Sequence, residues 1–438
     1  MMLANIKAKI KTSKLLTDSL WSLGGNVVGK GLALLAGILV ARFLGKDIYG
    51  EYGIIRNTIL TIGVFSTFGL GYTATKYIAG YKKEKPEYIQ LFIRYATQIT
   101  LVFSGIMALL LFTFAPYVAD QLFEADHLTT PLRFLAILII FNAITTTQIG
   151  ILAGFGSFNV LAKINGLIGI ITFLLSVLLT YYWYFEGALL ALLIAQVVNC
   201  VLNFFAVRKN VPSNINHLKS DIKLRKDIIQ FSTPIALREA LYSTSTWVLS
   251  IMIVKFSNYG QLGMYTAAIQ WNAIILFIPG VLKSVILSHL SSELNDSKSF
   301  QKTLHQTVLI NFISTLIPVI VVILLSDILE QFYGFTFLGL GDLISLAVII
   351  TIFSSTAGVY IQSFISLGKN WIMFFLSLLR DIGIVVFAFG FIKYEIFHSA
   401  KAIIVANIVM NILFFVIVFI LFNHFKQKYL NEKTSLYN

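Results

Sequence analysis

The chain has 438 residues, of which 57% are hydrophobic and only 12% charged, with a mean hydropathy of +0.83. Soluble domains carry about 25% charged residues, so a soluble enzyme, a nucleic-acid-binding domain and a disordered chain are all excluded. About 250 apolar residues are enough for roughly twelve spans of about 20 residues each, and the net charge of +13 has to be read by where the cations fall.

Taken in order, runs long enough to cross a bilayer occupy 20–44, 50–73, 97–114, 132–152, 160–183, 188–207, 228–254, 263–288, 307–325, 343–367, 371–391 and 400–422. The expected fold class is therefore an all-α integral membrane protein with 12 transmembrane helices. The first run exceeds the 7–15 apolar residues of a signal peptide and contains Lys30, so an uncleaved span is expected. The N-terminus, the even-numbered loops and the C-terminus hold most of the 33 cations, including Lys7, Lys9, Lys11, Lys14, Lys82, Lys83, Lys85 and the stretch from Arg208 to Lys226. The odd-numbered loops carry acids such as Asp120, Glu124, Asp126, Asp327 and Glu330. Positive charge collects on the cytoplasmic side, which puts both termini in the cytoplasm, as an even span count requires. The longest connection, 208–227, is polar and central. It reads as a cytoplasmic linker between an N-terminal lobe, 1–207, and a C-terminal lobe, 228–438, of six helices each. The one cysteine, Cys200, lies in an apolar run and excludes disulfide frameworks and cysteine-rich metal sites.

The two halves echo each other. The stretch I-L-V-A-R-F-L-G-K-D-I-Y-G-E-Y (38–52) aligns without a gap on I-M-I-V-K-F-S-N-Y-G-Q-L-G-M-Y (251–265), placing Arg42 on Lys255, Phe43 on Phe256, Gly50 on Gly263 and Tyr52 on Tyr265. Six spans per half give both repeats one orientation, with the relating axis along the membrane normal and a substrate site expected between the halves.

An ionisable side chain at a span centre costs about 2.5–3.5 kcal/mol on insertion scales and is a functional candidate by default. Five cations qualify: Lys30, Arg56, Arg238, Lys283 and Arg380, against two acids, Glu239 and Asp381. Such an excess suits a water-filled cavity awaiting an anion. Arg offers phosphate a bidentate fork and Lys a point charge. The competing readings are snorkelling for Arg56 and Lys283, an interhelical salt bridge for Arg380 and Asp381, and a structural or a protonatable coupling role for Glu239. Four of the five cations fall in spans one, two, seven and eight, with Asn26, Asn57, Gln270 and Asn272 beside them. Pro234 and Pro279 can break spans seven and eight. Trp247, Trp271 and Tyr242 could stack on sugar faces.

The stretches S-L-W-S-L-G-G-N-V-V-G-K-G-L-A-L-L-A-G-I-L-V-A-R-F-L-G-K-D-I-Y-G-E-Y-G (19–53) and F-G-L-G-Y-T-A-T-K-Y-I-A (68–79) resemble bacterial Wzx-type O-antigen/polysaccharide flippases of the multidrug/oligosaccharidyl-lipid/polysaccharide exporter superfamily. The resemblance implies a MATE-like V-shaped exporter fold of two six-helix lobes in the bacterial inner membrane. It implies as substrate an undecaprenyl-pyrophosphate-linked O-antigen repeat unit, moved from the cytoplasmic to the periplasmic leaflet. Lys30, Arg56, Arg238, Lys283 and Arg380 would bind the anion, with Glu239 and Asp381 as ion-coupling candidates. No cofactor is expected beyond coupling to a proton or cation gradient. The expected partners are the lipid-linked oligosaccharide, the lipid bilayer, a polysaccharide polymerase and a chain-length regulator; no nucleic acid is expected. The alternatives are a gradient-driven multidrug exporter of the same superfamily and a membrane-embedded polysaccharide polymerase or ligase. The outward loops are short and lack clustered His or carboxylates, which disfavours the enzyme, and no G-x-x-x-x-G-K-[ST] phosphate loop occurs.

Overall fold

The computed structural model describes residues 14–211, 221–280, 297–366 and 369–436. Every regular element among them is helical. In chain order they are α1 (Lys14–Thr67), α2 (Leu70–Glu84), α3 (Tyr88–Tyr117), α4 (Thr129–Gly154), α5 (Phe158–Asn210), α6 (Ile222–Phe256), α7 (Tyr259–Ile275), α8 (Ser297–Leu324), α9 (Ser326–Tyr333), α10 (Leu340–Ser366), α11 (Asn370–Lys393) and α12 (Ser399–Leu436). By length and composition, eight helical stretches among the described residues can cross a membrane: Val27–Lys82, Tyr88–Leu122, Asp126–Gly154, Phe158–Asn210, Phe300–Leu324, Leu340–Phe364, Trp371–Lys393 and Ser399–Phe425. The chain is thus an all-helical, multi-pass membrane protein.

Two of these stretches are far longer than one crossing. At about 1.5 Å per residue, α1 and α5 would each run to about 80 Å if straight, against a hydrocarbon core of about 30 Å. Both turn instead. α1 leaves helical geometry at Gly45 (φ 72°, ψ 166°), a conformation that suits glycine, and α5 does so at Trp183 and Tyr184 (φ 48°, ψ −126°). The residue that stands 213 positions after Gly45 is Asn258, which is also a helix boundary. It caps α7, its Oδ1 accepting the Gln261 N–H at 2.9 Å. The repeat read from 38–52 and 251–265 therefore extends to the positions where its helices begin. α7 in turn ends where Pro279 requires it: the proline has no N–H for the Ile275 carbonyl, and Leu276 adopts a non-helical ψ of 3°.

The chain divides into two compact units. Unit 1 runs to Leu44 and resumes at Glu51–Trp247; unit 2 comprises Gly45–Gly50 and Val248–Asn438. In unit 1, α4 packs against α2, α3 and α5 around a core that includes Ile78, Phe92, Tyr95, Leu152, Leu161 and Ile228. α2 and α4 meet backbone to backbone, since a Cβ on Gly150 would run into the Gly71 carbonyl. Small residues are the usual means of close helix approach in lipid, where no hydrophobic drive brings helices together. In unit 2, α10 packs against α7, α8, α9, α11 and α12, with Tyr360, Phe364, Met373, Phe414 and Phe422 in the core. The apolar windows of α4 and α10 are each 61% buried, against 17–33% for the other six. Each unit is therefore built around one central helix.

Candidate functional site

The second half of α1 is laced to α6 within unit 1. Asn57 Nδ2 donates to the Thr246 carbonyl at 3.4 Å, Trp247 Nε1 donates to Thr58 Oγ1 at 2.9 Å, and Thr61 Oγ1 donates to the Ser243 carbonyl at 3.4 Å. The ladder continues through α2, where Thr73 and Ser232 share a hydroxyl hydrogen bond at 2.7 Å. Rising residue numbers on one side meet falling numbers on the other, so the two segments are antiparallel. Hydroxyls and amides supply the links because in hydrocarbon their alternative is an unpaired polar group.

Arg56 sits on this layer with its side chain exposed. The helix begins after Gly45, so Arg56 lies about 16 Å along it. No carboxylate among the described residues lies within ion-pair distance of its guanidinium. Lys30, on the first half of α1, is also exposed. Its neighbour Gly29 touches α5, where a Cβ on Gly169 would fall 2.6 Å from the Gly29 Cα. Arg238 and Glu239 lie on α6 in unit 1, between the Ser232 and Ser243 contacts, with Glu239 partly buried. Lys283 lies outside the described residues.

Arg380 and Asp381 are on α11 in unit 2. The Arg380 Nε and Nη2 both donate to Asp381 Oδ1, at 2.9 and 2.7 Å, and the guanidinium carbon stands 4.9 Å over the Phe414 ring of α12. The pair is formed within one helix by consecutive residues. Of the three aromatics considered for sugar stacking, Trp271 is buried with its Nε1 donating to Tyr333 Oη at 3.0 Å, and Trp247 is committed to Thr58. Tyr242 is exposed on α6.

Two features escaped the sequence. Lys76 is exposed on α2, its Nζ 3.7 Å from the Phe231 ring centroid on α6 and 5.8 Å from that of Tyr77. The span ending at 73 left it among loop cations, yet the spacing of Tyr72 and Lys76, one helical turn apart, was a readable signal. The second is a network in unit 2. Tyr49 donates to Gln270 Oε1 at 3.5 Å, while Gln270 Nε2 donates to Tyr333 Oη, which also receives the Trp271 indole. Among the described residues, no group of three or more His, Cys, Asp or Glu could hold a metal ion.

These are the features of a polytopic carrier with cations on its membrane-spanning helices, and the comparisons identify its kind. Residues 15–287 match the family described as polysaccharide biosynthesis protein, well over half of the chain, and the chain belongs to that family. It is 30% identical over 177 residues to the lipid III flippase of Escherichia coli (strain K12), a match covering 40% of this chain and 42% of that protein, less than half of the relative's length. It is 21% identical over 366 residues to a Shigella flexneri protein named as an O-antigen transporter, covering 81% of this chain and 86% of that one. The Ralstonia solanacearum EPS I polysaccharide export inner membrane protein EpsE is 23% identical over 280 residues, 63% of each chain. In fold, the chain is similar to an inward-facing multidrug resistance MATE family transporter of the MOP superfamily, with a TM-score of 0.76 at 17% identity over 90% of this chain and 95% of that one. An outward-facing structure of such a transporter gives 0.65 at 16% identity, over 94% and 96%. The resemblance of residues 19–53 and 68–79 to polysaccharide flippases of this superfamily thus holds.

Proposed function

We propose that the protein is a flippase that carries an undecaprenyl-pyrophosphate-linked oligosaccharide, of the O-antigen repeat-unit class, from the cytoplasmic to the periplasmic leaflet of the bacterial inner membrane. In this reading the chain crosses twelve times in two six-helix lobes with both termini cytoplasmic, and alternating access is driven by a proton or cation gradient. The observation that carries it is Arg56, an exposed cation on the second half of α1 with no carboxylate at ion-pair distance among the described residues. A charge left so within a membrane-spanning helix is costly, and a diphosphate head group is the partner that would offset it. Lys30 and Arg238 add to the same unit, and Lys76 supplies a further exposed cation toward the cytoplasmic end of α2. Glu239, partly buried on α6, and Asp381, held by Arg380, are the coupling candidates. A polymerase and a chain-length regulator would act on the product.

The rival reading is a multidrug exporter of the same superfamily, which the fold alone does not separate. A carrier of organic cations needs carboxylates in its spans; the two candidates are Glu239 and Asp381, and Asp381 is paired with Arg380. Membrane vesicles from cells lacking the protein, and from cells restored with it, should be supplied with a fluorescent undecaprenyl-pyrophosphate-linked oligosaccharide or with a cationic dye. Restoration of glycan transport alone supports the flippase; restoration of dye transport alone establishes the exporter.

A further inference from the structure

The end of α2 next to Lys82 and Lys85 carries an aromatic cluster whose polar groups the fold leaves unused. Within unit 1, Tyr77 and Tyr81 stand one turn apart on α2, their rings edge to face at 5.6 Å. Tyr77 stacks on Phe92 of α3 at 5.4 Å and meets Phe231 of α6 edge-on at 6.0 Å. Tyr81 packs against Phe92 and, at 5.7 Å, against Tyr88, the first residue of α3. Two carboxylates from the start of α6 join the rings. The charge of Asp227 acts on both Tyr77 and Tyr81, and that of Asp221 on Tyr81.

The two carboxylates differ in their commitments. Asp221 caps α6, its Oδ1 accepting the Leu224 N–H at 3.1 Å, while its own N–H donates to Tyr95 Oη at 2.8 Å. Asp227 makes no hydrogen bond or ion pair among the described residues, and neither do the hydroxyls of Tyr77, Tyr81 and Tyr88. All four side chains are half-buried. Polar groups withdrawn from water ordinarily find a partner; here three phenols, each donor and acceptor, and one acceptor carboxylate gather without one. Packing accounts for the rings but not for the oxygens, since Phe92 and Phe231 fill the same cluster with none.

We propose that Tyr77, Tyr81, Tyr88 and Asp227 form a sugar subsite, which selects the neutral sugar joined to the diphosphate. The proposal rests on the flippase reading for the lipid that bears the sugar, whereas the cluster itself belongs to unit 1 alone. Sugar hydroxyls satisfy the phenols and the carboxylate, and the weakly positive C–H face of a sugar lies against the negative face of an aromatic ring. Lys76 supplies the phosphate side, its Nζ 3.7 Å from the Phe231 centroid. It precedes Tyr81 by about 7.5 Å along the helix, so a phosphate held there puts the next sugar among the tyrosines. A neutral or N-acetylated sugar fits this site. A uronic acid does not, because Asp227 and Asp221 repel a further carboxylate.

The test uses the full chain in nanodiscs, with empty nanodiscs as the blank. Saturation-transfer NMR with free glucose, galactose, N-acetylglucosamine and glucuronic acid as probes reads the subsite without any lipid-linked substrate. At least one neutral sugar should receive saturation, and glucuronic acid none. Tyr81→Phe removes one oxygen and Asp227→Asn one charge; each should cut the signal at least threefold with the thermal midpoint unchanged. No transfer to a neutral sugar above the blank, equal transfer to glucuronic acid, or transfer that both variants leave intact overturns the subsite. In vesicles, the double variant should carry the fluorescent undecaprenyl-pyrophosphate-linked oligosaccharide at least tenfold more slowly than the parent, and equal rates also overturn the proposal. A parent that moves no glycan yet passes saturation to a neutral sugar counts against the flippase reading and leaves the subsite standing.

Discussion

Arg380 folds back on Asp381, the next residue of α11, placing two of its N–H groups on one carboxylate oxygen. Consecutive helical residues leave the axis about 100° apart, so the pairing depends on the reach of the arginine stem, with the Phe414 ring beneath the guanidinium. Arg380 thus differs from Arg56, which has no such partner among the described residues. The first prediction separates the two roles. Arg56→Gln should lower glycan transport at least tenfold with the thermal midpoint of the purified protein unchanged. Arg380→Ala should lower that midpoint by several degrees, because it leaves a buried carboxylate unpaired, and Arg380→Ala with Asp381→Asn should recover most of the loss. Equal midpoints for Arg380→Ala and the parent would show that the pair is not structural.

The second prediction concerns the ladder between α1 and α6. Trp247 ends unit 1, and its indole N–H reaches a hydroxyl that itself donates to the Ile54 carbonyl at 2.7 Å. Trp247→Phe keeps most of the apolar surface and removes the donor, at a cost of about 1 kcal/mol. Thr58→Val should cost about the same, and the double variant little more than either, since both remove the same bond. Additive losses in denaturation of the nanodisc-held protein would mean that the bond does not couple the two helices.

Much of this architecture was legible because lipid forces it. A chain crossing hydrocarbon must pair its backbone internally, so long apolar runs read as helices, and the turns at Gly45 and Asn258 fall where the repeat aligned. What was not legible depends on partners distant in sequence. The apolar run ended at 73, but α2 continues to Glu84, because a helix does not stop where hydropathy does; that hid Lys76 above Phe231. The assignment of Gly45–Gly50 to unit 2 and of Ile222–Trp247 to unit 1 follows from which backbones touch, and composition carries no record of it. Gly50 and Gly263 are paired by alignment, but their reciprocal backbone packing is a property of the folded chain alone.

The third prediction tests the central helix of unit 1. Gly150 admits the Gly71 backbone at a distance that no Cβ allows. Gly150→Leu should force α4 from α2 and lower membrane abundance several-fold, measured by blotting. Gly105→Leu, at a position where a Cβ meets no atom within 4 Å, should leave abundance unchanged. A Gly150→Leu chain that accumulates normally would show that the two helices do not pack as described.

The fourth prediction fixes the direction in which the helices run. Tyr182, 72% exposed, stands at the turn of α5, and Lys82 stands near the far end of α2, its Nζ donating to the Phe155 carbonyl at 2.9 Å. On the proposed topology, the excess of cations around Lys82, Lys83 and Lys85 lies in the cytoplasm, and the α5 turn, with its run of Tyr181, Tyr182, Trp183 and Tyr184, is then expected at the opposite interface, where aromatic side chains collect. In a Cys200→Ser background, a cysteine at Tyr182 should react with an impermeant maleimide applied to spheroplasts. A cysteine at Lys82 should react only after permeabilisation. Labelling of Lys82→Cys from outside would invert the topology, and with it the leaflet from which the proposed substrate enters.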